Sequence, residues 1–159
     1  MEKDGWEYDM FVYEATISKN AEGYFAQFED IGAAYAPGDT LEEVIKAAAE
    51  TLQLVLAEYL DSGMKLPKPT FRFSSEDTMR VAVAVEVSQD FIDRTKCVTV
   101  TEAAQELGVT KGRISHMLDA GILQALPFGN ERLVTLASIN ARKMAPRGAG
   151  RPRKDPVRV

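Results

Sequence analysis

Residues 10–30, MFVYEATISKNAEGYFAQFED, contain the pattern that decides the fold of the first half of the chain. Apolar and polar residues alternate through residues 10–18, and a period of two predicts a half-buried strand. A turn-forming cluster at 20–23 separates this strand from a second short run, residues 24–29, so the two runs predict an antiparallel hairpin. The residues expected on the buried face of the first strand are Phe11, Tyr13, Ala15 and Ile17.

A third strand, a helix and a fourth strand follow this hairpin. Residues 31–36 form a short apolar run that ends at a Pro-Gly pair. Asp39 or Thr40 can cap a helix whose apolar positions recur every three or four residues. Residues 79–87 alternate again and predict a strand. The first half is therefore predicted to be one helix packed on a mainly antiparallel sheet, in the order β-β-β-α-β.

Charge is distributed unevenly along the 159 residues, although the overall composition of 45% hydrophobic and 27% charged residues is ordinary for a folded protein. Residues 1–90 hold 18 acidic and 7 basic side chains, a net charge of −11, whereas residues 91–159 hold 6 acidic and 12 basic ones, a net charge of +6. This split predicts two domains, an acidic one suited to a basic protein and a basic one suited to phosphate. The alternative is chance variation in a solvated surface.

The composition also excludes several classes of protein. The single cysteine, Cys97, excludes a disulfide framework and a thiolate zinc site within one chain, and the single histidine, His116, excludes a multi-histidine metal centre. The N-terminus lacks the apolar core of a signal peptide, and no segment approaches the roughly 18 apolar residues of a membrane span. We therefore expect a cytoplasmic protein with no cofactor, no metal site and no membrane partner.

Residues 99–123, TVTEAAQELGVTKGRISHMLDAGIL, have the spacing of a helix-turn-helix. Thr101 is expected to cap a first helix and Thr110 a second, while Gly108 occupies the position that needs a left-handed backbone. Val109 is expected to pack inward. The alternative is a plain helical hairpin that packs on the first domain. The positions that agree in register are Ala104, Gly108, Ile114 and Met117.

In a helix-turn-helix the second helix enters the major groove of DNA with its N-terminal residues facing the bases. Arg113 is the best candidate for a bidentate contact with guanine, and Lys111 is a candidate phosphate contact. Thr110 and the helix N-terminus can hold a phosphate through backbone N–H groups. We interpret His116 as a neutral polar contact or a surface residue. The residues predicted to face DNA are Thr110, Lys111, Arg113, Ser115 and His116.

Residues 122–136, ILQALPFGNERLVTL, predict a hairpin around Gly129-Asn130. This arrangement is similar to the MerR and excisionase class of winged DNA-binding domains, and the resemblance implies that Asn130 and Arg132 contact the DNA backbone. A short closing helix is predicted over 138–144.

The last stretch, residues 146–159, reads PRGAGRPRKDPVRV and is expected to be a disordered basic tail. Its Gly-Arg-Pro triplet resembles an AT-hook core, which implies insertion into the narrow minor groove of A·T-rich DNA. A generic phosphate-binding tail is the alternative. The DNA contacts predicted here are Arg147, Arg151, Arg153 and Lys154.

The first half of the chain resembles the HicB antitoxin family. The resemblance rests on YEATISKNAEGYFAQFEDI at 13–31, on the helix entry GDTLEE at 38–43 and on LPKP at 66–69. It implies a truncated ribonuclease-H-like fold and a small basic partner, the HicA toxin, which cleaves mRNA. The chain departs from the family at residues 31–34, Ile-Gly-Ala-Ala, where a Pro-Gly-Cys-like turn is common.

The predicted fold class is thus α+β. A HicB-like toxin-binding domain covers residues 1–90, a linker 91–98, a winged helix-turn-helix domain 99–145 and the basic tail 146–159. HicB proteins more often end in a shorter helix-turn-helix or ribbon-helix-helix segment, so their dimer geometry does not carry over.

The resemblance implies an antitoxin that neutralises a HicA-like toxin and binds double-stranded operator DNA as an autorepressor, in the form of a homodimer or higher homo-oligomer. One alternative is a stand-alone regulator whose first domain serves oligomerisation or ligand sensing. Another is a nuclease, which needs carboxylates that converge on two metal ions. We assign no catalytic residue, because Glu14 and Glu29 are expected on the solvent faces of strands and Glu58 on the polar side of a helix. The carboxylates considered for that role are Asp9, Glu14, Glu29, Asp30 and Glu58.

Overall fold

The computed structural model describes residues 9–32, 34–75 and 78–145. The chain divides into two compact units, residues 1–95 and 96–159. The elements of the first unit are β1 (Asp9–Asn20), β2 (Gly23–Gln27), β3 (Tyr35–Gly38), α1 (Leu41–Asp61), β4 (Met79–Val87) and α2 (Gln89–Thr95). Those of the second are β5 (Cys97–Val98), α3 (Val100–Leu107), α4 (Lys111–Asp119), β6 (Ala125–Phe128), β7 (Glu131–Thr135) and α5 (Leu136–Met144).

The first unit is a four-stranded antiparallel sheet in the order β3-β2-β1-β4, with α1 on one face. Ile17 of β1 lies opposite Ala26 of β2 and Met79 of β4, which fixes the register of the central strand. The predicted order β-β-β-α-β, with a helix packed on an antiparallel sheet, is confirmed, and α2 is a further short helix that was not predicted. The core beneath the helix includes Tyr13, Ala15, Ile17, Ala26, Phe28, Val44, Leu52, Leu56, Val83 and Val85.

The start of α1 is fixed by a capping box. The Thr40 hydroxyl accepts from the backbone N–H of Glu43, and the Glu43 carboxylate accepts from the backbone N–H of Thr40. Thr40, not Asp39, is therefore the N-cap. A Cβ on Gly38 would lie 2.4 Å from the backbone nitrogen of Val44, so the entry to the helix requires glycine there.

Two segments of the first unit differ from the prediction. The third strand begins at Tyr35 instead of residue 31, because the Ala34 N–H donates to the Ile31 carbonyl at 3.3 Å and not to a neighbouring strand. The segment predicted as a linker, residues 91–98, contains the end of α2 and all of β5, and the division between the two units falls within it. Ile92 is only 6% exposed and packs into the core, which explains why this short helix forms.

The second unit begins with α3 and α4, joined by a tight turn. Thr99 caps α3 and forms a capping box with Glu102, so the prediction that Thr101 caps this helix was wrong. Gly108 has the predicted left-handed backbone (φ 63°), and Thr110 caps α4 as predicted. Val109 was predicted to pack inward, but the residue is 36% exposed, so this prediction was wrong.

A β-hairpin and a closing helix complete the second unit. β6 and β7 pair across Gly129-Asn130 as predicted, and β5 adds an unpredicted third strand, in the order β5-β7-β6. The closing helix α5 starts at Leu136, two residues before the predicted start, with Thr135 as its N-cap. The core of this unit consists of Ala103, Ala104, Ile114, Met117, Leu123, Val134 and Ile139.

Candidate functional site

Helix α4 presents one buried and one exposed side. Ile114 and Met117 are buried against α3, at 0% and 4% exposure. All five residues predicted to face DNA are exposed to solvent. They are Thr110, Lys111, Arg113, Ser115 and His116.

Hydrogen bonds within α4 decide which of these groups are available to a ligand. The Thr110 hydroxyl oxygen accepts from the Arg113 N–H at 3.2 Å, and the Ser115 hydroxyl donates to the Lys111 carbonyl at 3.3 Å. The Lys111 ammonium and the Arg113 guanidinium make no hydrogen bond or ion pair with any residue that the structure describes. These two cations are therefore the strongest candidates for phosphate and base contacts.

A groove of about 620 Å³ lies beside α4 and is lined by Arg113, Arg142 and Lys143. Lys143 of α5 forms an ion pair with Glu106 of α3, so its charge is partly neutralised. Arg142 is an additional candidate contact that was absent from the predicted set. Its place in the last turn of α5 is visible in the sequence, but its position beside Arg113 depends on the tertiary fold.

The hairpin carries the remaining described candidates. Asn130 and Arg132 are both exposed at its turn and on its return strand, where Gly129 adopts a left-handed backbone (φ 58°). The other predicted DNA contacts lie outside the described residues. These are Arg147, Arg151, Arg153 and Lys154.

In the first unit, Glu14 lies on the outer face of the sheet, which is the face opposite α1. The sequence predicts Glu14 on the solvent face of its strand; the residue lies on that face but is only 6% exposed, so the expected contact with solvent was wrong. Its carboxylate accepts from the backbone N–H of Arg72 at 2.6 Å and from the Arg80 guanidinium at 3.0 Å. The Arg72 N–H is the main group that lowers the pKa of Glu14; Arg80 acts in the same direction, and burial opposes both.

The neighbouring carboxylates are held in the same way. Glu29 pairs with Arg72 at 3.0 Å and with Arg80 at 3.3 Å. Asp30 accepts from the backbone N–H of Thr70 at 2.7 Å, and this bond is the main cause of its lowered pKa. Within the described ranges, no group of three or more His, Cys, Asp or Glu side chains could hold a metal ion. These carboxylates thus hold the connecting segment, residues 66–75, against the sheet.

The solvent side of α1 carries a second acidic feature. Glu50, Leu54 and Glu58 are four residues apart and so lie on one face of the helix, and all three are exposed. Leu54 lies between the two carboxylates and is 54% exposed. We refer to these three residues as the α1 stripe.

Comparison with known proteins identifies the family. Residues 12–89 match the family model described as the HicB-like antitoxin of bacterial toxin–antitoxin systems. The chain is 31% identical to Antitoxin HicB 1 of Photorhabdus laumondii over 110 residues, which cover 67% of this chain and 70% of that protein. The chain belongs to the HicB-like antitoxin family. This family is not enzymatic, so no catalytic residue is assigned.

Two solved toxin–antitoxin complexes have limited similarity to this chain. A HicA3 and HicB3 toxin–antitoxin complex has a TM-score of 0.40 at 23% identity, over 46% of this chain and 95% of that one. A toxin–antitoxin complex from Streptococcus pneumoniae has a TM-score of 0.45 at 16% identity, over 71% of this chain and 99% of that one.

No helix among the described residues of this HicB-like protein is long and apolar enough to cross a membrane.

Proposed function

We propose that this HicB-like protein neutralises a small basic HicA-like toxin with its first unit and represses its own operator with its second. In this proposal the first unit is a truncated ribonuclease-H-like domain and the second a winged helix-turn-helix of the MerR or excisionase type. The complex acts in the cytoplasm as a homo-oligomer. Membership of an antitoxin family is the observation that carries the proposal.

The charge of the first half supports a basic partner. Its net charge of −11 attracts a cationic protein and repels nucleic acid. The α1 stripe supplies both carboxylates and an exposed leucine, a combination that suits a basic surface with an apolar contact at its centre. We therefore assign the toxin contact to this face of α1.

The second unit supplies the contacts for operator DNA. Lys111 and Arg113 are free of partners among the described residues, and Arg142 lines the same groove as Arg113. Much of the positive charge of this half lies in residues 146–159, which hold five basic residues and one acidic residue. DNA binding is therefore expected to combine base contacts from α4 with phosphate contacts from the tail.

Charge reversal on α1 tests the toxin contact. Glu50→Lys/Glu58→Lys is expected to weaken binding of the basic toxin at least tenfold, because two attractive charges become repulsive at the interface. The matched control is Asp9→Lys/Glu22→Lys, which makes the same change in net charge at exposed positions away from the stripe. Equal loss of affinity in both variants would mean that only overall charge matters, and unchanged affinity in both would exclude this face.

A further inference from the structure

Strand β4 forms one edge of the four-stranded sheet, and its sequence is unusually open to pairing. It is nine residues long, MRVAVAVEV, and contains no proline, glycine or charged residue from Val81 to Val85. Folded proteins normally protect a long apolar edge with charges, prolines, bulges or a covering element, since its free N–H and C=O groups can pair with another strand.

The hydrogen bonds of β4 show which of its groups face outward. Residues of an antiparallel strand alternate between the two sides of the ladder. The Arg80 N–H donates to the Ser74 hydroxyl at 3.0 Å, and the Glu86 carbonyl accepts from the Gln53 amide at 2.7 Å. The backbone N–H and C=O groups of the even-numbered residues of β4 therefore point away from β1, toward the open edge of the sheet.

Two side chains thus cover the ends of this edge and leave its middle open. Ser74 covers the edge at Arg80, and Gln53 covers it at Glu86. Between these two side chains, the outward-facing backbone N–H and C=O groups of Ala82 and Ala84 make no hydrogen bond with any other described residue.

The open stretch is symmetric about Val83. Residues 81–85, VAVAV, read the same in both directions, and they are flanked by Arg80 and Glu86, which carry opposite charges. A two-fold axis through Val83 would place Ala82 of one copy opposite Ala84 of the other, and Arg80 opposite Glu86. Each alanine pair would exchange two backbone hydrogen bonds, as directly opposed residues do in an antiparallel ladder.

The adjoining surface is also apolar. Val12 of β1 lies opposite Ala84 on the outer face and Met10 lies opposite Glu86, and these side chains are 36% and 70% exposed. Together with Ala82 and Ala84 they form an exposed apolar strip that pairing of β4 would extend across two copies.

We propose that two copies of this chain pair β4 with β4, antiparallel about Val83, and so join their sheets into one continuous sheet. The proposal specifies an interface for the homo-oligomer proposed above, and it does not depend on toxin or DNA binding. A strand from a partner protein is less suited to this edge, because residues 81–85 read the same in both directions and are therefore self-complementary in register.

The test introduces charges at the two outward alanines of the full chain. Ala82→Lys/Ala84→Lys places like charges directly opposite one another in the proposed register, whereas Ala82→Lys/Ala84→Glu places opposite charges there. Both positions are exposed, so either variant leaves the core of the unit unchanged. Sedimentation equilibrium of the purified proteins measures the mass of the assembly, and circular dichroism checks the fold.

The double-lysine variant is expected to halve the mass of the wild-type assembly, and the lysine–glutamate variant to retain it. A wild-type mass for the double-lysine variant would overturn the proposal. So would a halved mass for both variants with a native circular dichroism spectrum, because the register would then be wrong. If the double-lysine variant keeps its mass but loses affinity for a basic toxin, a partner's strand occupies the edge instead.

Discussion

The carboxylate of Glu14 accepts a 2.6 Å hydrogen bond from the backbone N–H of Arg72, which lies 58 residues later in the chain. The bond attaches the connecting segment to the outer face of the sheet. Arg80 approaches the same carboxylate at 3.0 Å from β4. One buried acidic side chain on β1 therefore joins the segment after α1 to the strand that follows it.

This bond predicts how stability depends on pH. The pKa values of Glu14 and Asp30 are lowered in the folded state, so both groups contribute stability above their unfolded pKa values and lose it as the pH falls through the folded ones. Glu14→Gln should lower the thermal midpoint at neutral pH. The difference in thermal midpoint between this variant and the wild type should shrink as the pH is lowered from about 6 to about 3. Thermal unfolding across this range measures it.

The control for Glu14 is Glu22→Gln, since Glu22 is exposed in the turn between β1 and β2. This variant should follow the wild-type curve. A Glu14→Gln curve that runs parallel to the wild-type curve at all pH values would contradict the proposed role of the carboxylate charge.

Two glycines of the second unit should respond to alanine in opposite directions. Gly108 has a left-handed backbone with open space around it, so Gly108→Ala should destabilise the unit by about 1–2 kcal/mol through backbone strain alone. Gly112 lies inside α4 with no close neighbour, so Gly112→Ala should stabilise it by about 0.5 kcal/mol. Amide hydrogen exchange in α4 reports on this unit directly. If both variants changed the stability of the unit by the same amount and in the same direction, the left-handed backbone at Gly108 would be refuted.

Arg113→Ala should weaken operator binding by about 1–3 kcal/mol and relax the preference at one base position. The reason is that its guanidinium is exposed on α4 without a partner among the described residues. Binding to a library of operator variants measures both effects. Lys65→Ala removes one exposed charge from the first unit and serves as the control. An operator affinity equal to that of wild type would exclude Arg113 from the recognition surface.

The basic tail should determine much of the salt dependence of DNA binding. Replacement of Arg147, Arg151, Arg153 and Lys154 by glutamine keeps the length of the chain and removes four positive charges. The slope of log affinity against log salt should fall by about 0.9 for each phosphate that the variant no longer neutralises. A slope identical to that of wild type would show that these residues do not contact DNA.

Local patterns in the sequence predicted most of the fold. The alternation of β1 and β4, the stripe of α1 and the turn at Gly108 depend on neighbouring residues, and the structure confirms them. Thr99 was missed as the cap of α3, although Glu102 three residues later forms the Thr-x-x-Glu signature of a capping box.

The remaining features depend on contacts between distant parts of the chain. Alternation placed Glu14 on the outer face correctly, but its burial depends on a segment that follows α1. The same holds for Arg142, whose position beside Arg113 requires α5 to pack near α4. Helix α2 has only seven residues, too few for a periodic signal, and its burial is set by Ile92 in the core of the first unit.

The most direct test of the account is purification of the full chain from its native host, followed by intact mass analysis of the complex and an RNA-cleavage assay of the bound protein. We expect a small basic partner in stoichiometric amount that cleaves RNA when separated and stops doing so when the chain is added back. Recovery of the chain alone or only with DNA, or a partner whose RNA cleavage the chain does not inhibit, would contradict the proposed antitoxin function.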